Sequence, residues 1–294
     1  MSAGTPQLIL GTANLTGNRL AERSSPTDLT GRFQTPLDLA AVFNEAAAAG
    51  VDAVATLNHL DVLTALRKSR ESFPALQVYP IIPNVIGYVR EATDYGLVGA
   101  GRRRIRQMAL LDLVRIGVRA TLRAPSVLKR DFNTLMAILF DVELASFRFL
   151  KPRTVFLHPQ ITDLALAFGN RPLFELYVKV MRKRFGAEPG LATNNLGWLL
   201  PKLQEWQMQV PFLLTPFNPA GFLMKPSKDS CEALLRSSYQ RVIADKIDAI
   251  GAPDEKTWDY LRSMGVRAAV IEFWNDESFT ATIKRAKISL TKAE

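Results

Sequence analysis

Two histidines, one lysine near a strand end and a set of amides and hydroxyls are the side chains whose type and position suit them to chemistry. His158 sits in VFLHPQITD (155 to 163), where an apolar run stops at a proline, and His59 sits in LNHLD (57 to 61). Histidine is the side chain most suited to proton transfer near neutral pH. His158 therefore reads as general acid, general base or oxyanion donor, with a strand-end cap as the plain alternative. For His59 the plain reading, the start of a helix at Asn58, is preferred. Lys246 stands in RVIADKI (241 to 247). Strand alternation puts Val242, Ala244 and Lys246 on one side, with Ile243, Asp245 and Ile247 on the other. With the first set inward, Lys246 projects among apolar walls, where its amine could add to a carbonyl as a Schiff base. An ion pair with Glu272 and a grip on a substrate anion are the other readings of this lysine. Thr12, Asn14, Asn58, Gln160, Thr193, Asn194, Asn195, Asn218 and Glu272 complete a candidate site richer in hydrogen-bonding groups than in ionisable ones. No HxxE, HxH or HExxH spacing occurs, and Cys231 is alone, so a metal site and a redox pair are not expected.

These residues share a location because each lies at the end of a short apolar run. The runs are QLILGTA (7 to 13), VDAVATL (51 to 57), LQVYPII (76 to 82), TVFLH (154 to 158), GLATN (190 to 194), FLLTPF (212 to 217), RVIADKI (241 to 247) and AAVIEF (268 to 273). Amphipathic segments alternate with them, several ending in glycine. Eight such pairs predict a (β/α)8 TIM barrel spanning residues 1 to 294 as one domain, with the site at the C-terminal ends of the strands. A doubly wound sheet is the runner-up, but neither GxGxxG nor GxxxxGK[ST] follows an early strand. Trp198, Trp206 and Trp258 read as packing residues.

Two segments exceed a minimal barrel. Residues 14 to 36, rich in Gly, Ser, Thr and Pro, are placed to cover the mouth. Residues 100 to 150 form a helical insertion between the third and fourth strands. Its first half carries Arg115, Arg119 and Arg123 on one face. Its second half presents Phe132, Met136, Phe140 and Phe147 on a nearly all-apolar circumference. Such a helix needs cover, and a two-fold homodimer through these residues is the expectation.

The chain has 294 residues, 48% of them hydrophobic, and 37 Lys and Arg against 28 Asp and Glu, a net charge of +9. A basic surface attracts anions of many kinds, but the basic residues lack a binding motif and aromatic interleaving, so no specific nucleic-acid partner is expected. No apolar run is long enough to span a membrane and the N-terminus has no export signal, so a cytoplasmic protein with a small-molecule substrate is expected.

In order, LILGTANL, FLHPQITD, GLATNN and LLTPFNPAG resemble the strand endings of the aldo-keto reductases, NADPH-dependent barrel enzymes. The resemblance implies that His158 lies beside the substrate carbonyl and that Thr193 and Asn194 stand where a Ser-Asn pair binds the nicotinamide amide. The family's Asp, Tyr and Lys have no counterparts in VATLNHL or VYPIIPN. VIEFWNDESF puts Glu272, Asp276 and Glu277 near the expected 2′-phosphate, where like charge disfavours NADPH. The reading that follows is a lyase or isomerase of aldolase type working on a small polar or anionic carbonyl metabolite without redox cofactor, with Lys246 and His158 catalytic. An NADP-dependent oxidoreductase with a rebuilt site and a non-catalytic scaffold are the alternatives.

Overall fold

The computed structural model describes residues 8–16, 33, 35–85, 87–88, 93–94, 116, 132–238, 240–247, 253–273 and 276–291. Eight parallel strands close into one barrel in sequence order. They are β1 (Leu8–Gly11), β2 (Ala53–Thr56), β3 (Gln77–Ile82), β4 (Thr154–Leu157), β5 (Glu188–Ala192), β6 (Phe212–Pro216), β7 (Arg241–Asp245) and β8 (Ala268–Glu272). Closure is made by β1 against β8, with Gly11 opposite Glu272. The (β/α)8 expectation holds, and each strand falls inside or within two residues of its expected run.

Period-two alternation divides the core into two layers. Ile9, Ala55, Tyr79, Phe156, Leu214, Ile243 and Val270 point into the lumen. Leu10, Val54, Val78, Val155, Leu213, Val242 and Ala244 point outward, under the helices. Large and small residues interlock in the lumen: Tyr79 meets Phe156 edge-on, 5.7 Å between centroids. A side chain at Gly190 would collide with the Phe156 ring, which accounts for the glycine in β5. These aromatics form a floor beneath the upper end of the lumen.

The helices start on local signals. Thr35 and Asp38 make a capping box for α2 (Pro36–Ala49), which follows the single turn α1 (Ala13–Thr16), and Gly50 ends α2 in the left-handed region at φ 115°. α3 (Leu60–Ser72) follows β2, and α4 (Phe132–Phe147) precedes β4. α5 (Pro159–Ala167) begins at His158 with proline in its first turn, and α6 (Arg171–Val180) is capped by Asn170. The buried Tyr177 hydroxyl of α6 lies within hydrogen-bonding reach of two strand carbonyls, Val155 at 2.6 Å and Gly190 at 3.1 Å. α7 (Leu196–Glu205), α8 (Lys228–Arg236), α9 (Glu255–Ser263) and α10 (Asp276–Thr291) follow β5 to β8.

Three residues of the expected two-fold contact on α4 are covered by the chain itself. Met136, Phe140 and Phe147 are 5%, 0% and 0% exposed within the single chain, and Phe140 packs edge-on against Tyr177 at 5.5 Å. They cannot also meet symmetry mates. The helix is apolar nearly all round because it is sunk beside β3 and α6, with Asp141 paired to Arg184 at 2.8 Å. The Phe132 side chain, the arginine-bearing first half of the insertion and most of the loop from 14 to 36 lie outside the described residues. Trp258 is fully buried and Trp206 packs on Phe174, whereas Trp198 is 63% exposed on the first turn of α7 and is not a packing residue. No helix among the described residues is long and apolar enough to cross a membrane.

Candidate active site

Above the aromatic floor, the strand ends enclose a cavity of about 150 Å³. Apolar side chains from Ala55, Leu57, Ile81, Leu214 and Val270 form its walls, and Thr12, Thr56, His59, His158, Asn194, Asp245, Lys246 and Glu272 supply its polar groups. This is the C-terminal face, where a parallel barrel gathers one residue from each of several strands.

His158 is 4% exposed. Its backbone N–H donates to Ile82 O at 2.7 Å, extending the β3–β4 ladder by one residue. Its Nδ1 accepts the Gln160 backbone N–H at 3.3 Å, so the ring also caps α5. With Nδ1 an acceptor, the hydrogen of the neutral ring resides on Nε2. Burial holds the imidazole pKa down to about 4, because the apolar wall penalises the charged form. The strand-end cap is present through Nδ1, which leaves Nε2–H outside it.

Lys246 borders the cavity by a route that strand alternation misses. Ile243 faces the lumen and Val242 and Ala244 face the helices, opposite to the register that would turn Lys246 inward. β7 ends at Asp245, and Lys246 follows in the left-handed region at φ 55°, with its N–H bonded to Asp245 Oδ1 at 2.8 Å. The pleat brings Asp245 to the cavity on the face of Ile243, and the reversal of the backbone at the next residue brings Lys246 there as well.

Glu272 also borders it. One oxygen accepts the Asn14 N–H at 3.4 Å, and the carboxylate occupies the space beside Gly11 that a side chain would need. It therefore lies inside the site. The side chains of Asp276 and Glu277 lie outside the described residues.

The remaining candidates divide by what their atoms already do. Thr12 borders the cavity while its hydroxyl donates to Thr56 Oγ1 at 2.9 Å. His59, the N-cap of α3, borders it too. Asn14 is turned away, its amide donating to Phe273 O at 3.0 Å. Asn58 donates to Ser146 Oγ at 3.2 Å, tying β2 to α4. Gln160 contributes its backbone to His158. Asn195 begins α7, donating its N–H to Thr193 Oγ1 at 2.9 Å. Asn218 spends both ends of its amide on the Phe222 backbone, at 2.9 Å each, and braces the loop after β6. Asn14, Asn58, Gln160, Asn195 and Asn218, and with them Thr193, are not among the residues bordering the cavity. Asn194 is, and its side-chain amide makes no hydrogen bond to a described residue, while its backbone N–H donates to Asp163 Oδ2 at 3.0 Å. Asp163 itself was not legible as a site residue. It is a mid-helix carboxylate whose partners, Thr193 and Asn194, come from the next strand. Among the described residues, no three His, Cys, Asp or Glu side chains stand together as a metal ion would require.

No family model matches the chain, and no curated protein does. Solved structures do. A Pseudomonas aeruginosa protein assigned as an aldo-keto reductase superposes with a TM-score of 0.57 at 14% identity, over 97% of this chain and 90% of that one. A protein assigned as a 2,5-diketo-D-gluconic acid reductase B gives 0.50 at 10% identity, over 96% and 82%. Another barrel, solved in complex with NADPH, gives 0.48 at 14% identity, over 96% and 89%. The barrel is thus similar in fold to structures assigned as aldo-keto reductases. Structures assigned as aldo-keto reductases share this fold, and the expectation of chemistry without a redox cofactor is withdrawn. The cavity fits the nicotinamide end of such a cofactor: its size is that of a small ring system, and the Asn194 amide offers a donor and an acceptor to a carboxamide.

Proposed function

We propose that the protein is a nicotinamide-dependent oxidoreductase acting on a small polar carbonyl compound or the corresponding alcohol, with an acid–base set rebuilt on different strands from the reductases it resembles. The observation that carries this reading is the state of His158. The imidazole is buried at the cavity edge with Nδ1 occupied by the Gln160 N–H, so Nε2–H is the group it has left to offer, and Asn194 borders the same cavity.

When bound, the cofactor supplies or accepts hydride. The chain's own residues bind, orient and move the proton. His158 Nε2–H donates to the substrate oxygen and fixes it. A neutral imidazole orients the oxygen as a hydrogen-bond donor without giving up its proton, which leaves the proton transfer to Lys246. Asn194 pairs its amide with the nicotinamide carboxamide and so fixes which ring face meets the substrate. Lys246, arriving from the end of β7, gives a proton to the oxygen in reduction and takes it in oxidation, the work the family assigns to its tyrosine. Asp245 and Glu272 accept hydrogen bonds from substrate hydroxyls. The apolar wall from Ala55 to Val270 excludes water from the transfer.

Titration of NADH and NADPH by fluorescence tests the proposal. Binding of one or both is expected in the range of about 1 to 100 μM, at least tenfold weaker in Asn194→Leu. No binding of either at millimolar concentration by wild type removes the reading.

A further inference from the structure

We infer that Asp163 is a positioning residue that sets Asn194 against His158 across the cavity, so that one helix fixes both groups. The inference rests on the nicotinamide reading for what Asn194 holds.

Asp163 lies on α5, five residues beyond His158, the residue that caps the same helix. Its Oδ1 accepts a hydrogen bond from the Thr193 hydroxyl and its Oδ2 accepts the Asn194 N–H at 3.0 Å. Thr193 Oγ1 in turn accepts the Asn195 N–H at 2.9 Å. One carboxylate thus organises three successive residues just past the last residue of β5. The position matters because ladder bonding runs out here: Thr193 N–H still reaches Leu214 O at 2.9 Å, whereas the next N–H has turned to Asp163.

An aspartate inside a nine-residue helix is a poor helix former, and nothing in α5 itself uses it. Its place is explained by the strand it grips. The ionised form is the one the arrangement needs, since both oxygens accept. Burial pushes the Asp163 carboxyl upward, and the Thr193 hydroxyl, the Asn194 N–H and the nearby Lys225 charge oppose that shift. Because α5 starts at His158 and is anchored at Asp163, a shift of the helix moves the imidazole and releases the amide together. Displacements of about 1 Å are enough to cost a reaction on the order of 100-fold.

Four variants test this: Asp163→Asn, Thr193→Val, the two combined, and Asn170→Ala, which removes the cap of the neighbouring α6. Dinucleotide affinity, melting temperature and the exchange rate of the Asn194 backbone amide are measured for each. Asp163→Asn and Thr193→Val are each expected to weaken dinucleotide binding about tenfold with melting within a few degrees of wild type, and the combination to be no worse than either alone. Asn170→Ala is expected to lower the melting temperature and leave affinity unchanged. Wild-type affinity in Asp163→Asn overturns the inference, as does an affinity loss in Asn170→Ala equal to that in Asp163→Asn. Should wild type bind neither dinucleotide, the functional reading fails by itself and exchange decides Asp163. At least tenfold faster exchange of the Asn194 amide in Asp163→Asn is then expected, and unchanged exchange overturns the inference. Should Asp163→Asn not fold, Thr193→Val decides on the same two readouts.

Discussion

The Glu272 carboxylate lies over Gly11, in the space a side chain at residue 11 would fill, where β8 and β1 close the barrel. Gly11→Ala should push Glu272 off the Asn14 N–H and crowd Val270. A loss of about 1 to 2 kcal/mol is expected, the usual scale for adding a methyl to a packed site. Shortening the carboxylate with Glu272→Ala should relieve at least half of it, so the two changes combine less than additively. Urea denaturation of the four proteins measures this, and strict additivity contradicts the contact.

The buried imidazole makes stability depend on pH with a definite sign. The His158 pKa is about 4 in the fold against an unfolded value of 6.5, so the unfolded chain binds more protons between these limits. Stability from His158 is therefore full above 6.5 and is lost as pH falls toward 4. The loss between pH 7.5 and pH 5 amounts to roughly 2 kcal/mol. Denaturation of wild type and His158→Asn at both values is expected to show that difference in wild type alone.

Lys246 is the cavity residue the sequence made conspicuous for a reason the structure replaces. A residue at φ 55° costs an ordinary side chain roughly 1 kcal/mol that glycine avoids. Lys246→Gly is expected to leave thermal stability equal or slightly higher while lowering turnover at least 100-fold. Circular dichroism melting and a dinucleotide assay read the two effects separately.

Strand positions were legible because β-branched and aromatic runs stop at polar residues, as at Leu157-His158 and Ala192-Thr193. The two faces of β7 were not legible. Val242 and Ile243 are equally apolar, so only closure of the barrel decides which enters the lumen, and no local signal marks Lys246 for a positive φ. Asp163 was hidden for a similar reason: its partners arrive with β5, thirty residues on. α4 misled in the other direction. Its apolar circumference required cover, but sequence does not say whether a second subunit or the same chain supplies it.

That burial yields a prediction for Phe140. Phe140→Ala should cost about 3 to 5 kcal/mol, the range for deleting a fully buried ring. Met136→Glu should unfold the chain at room temperature or lower its melting temperature by more than 10 °C. Light scattering alongside melting separates this from a surface role. A folded Met136→Glu variant with native melting and altered mass contradicts the packing.

Hydride transfer itself is the most direct test. The protein is mixed with nicotinamide dinucleotide deuterated at C4 and a set of small hydroxy-aldehydes, ketoses and keto acids. Absorbance at about 340 nm is followed and the products are weighed for one added deuterium. Dinucleotide oxidation with at least one carbonyl compound, deuterium in the product, and a loss of at least 100-fold in His158→Ala are expected. Absence of binding and of deuterium transfer for both dinucleotides across the set contradicts it.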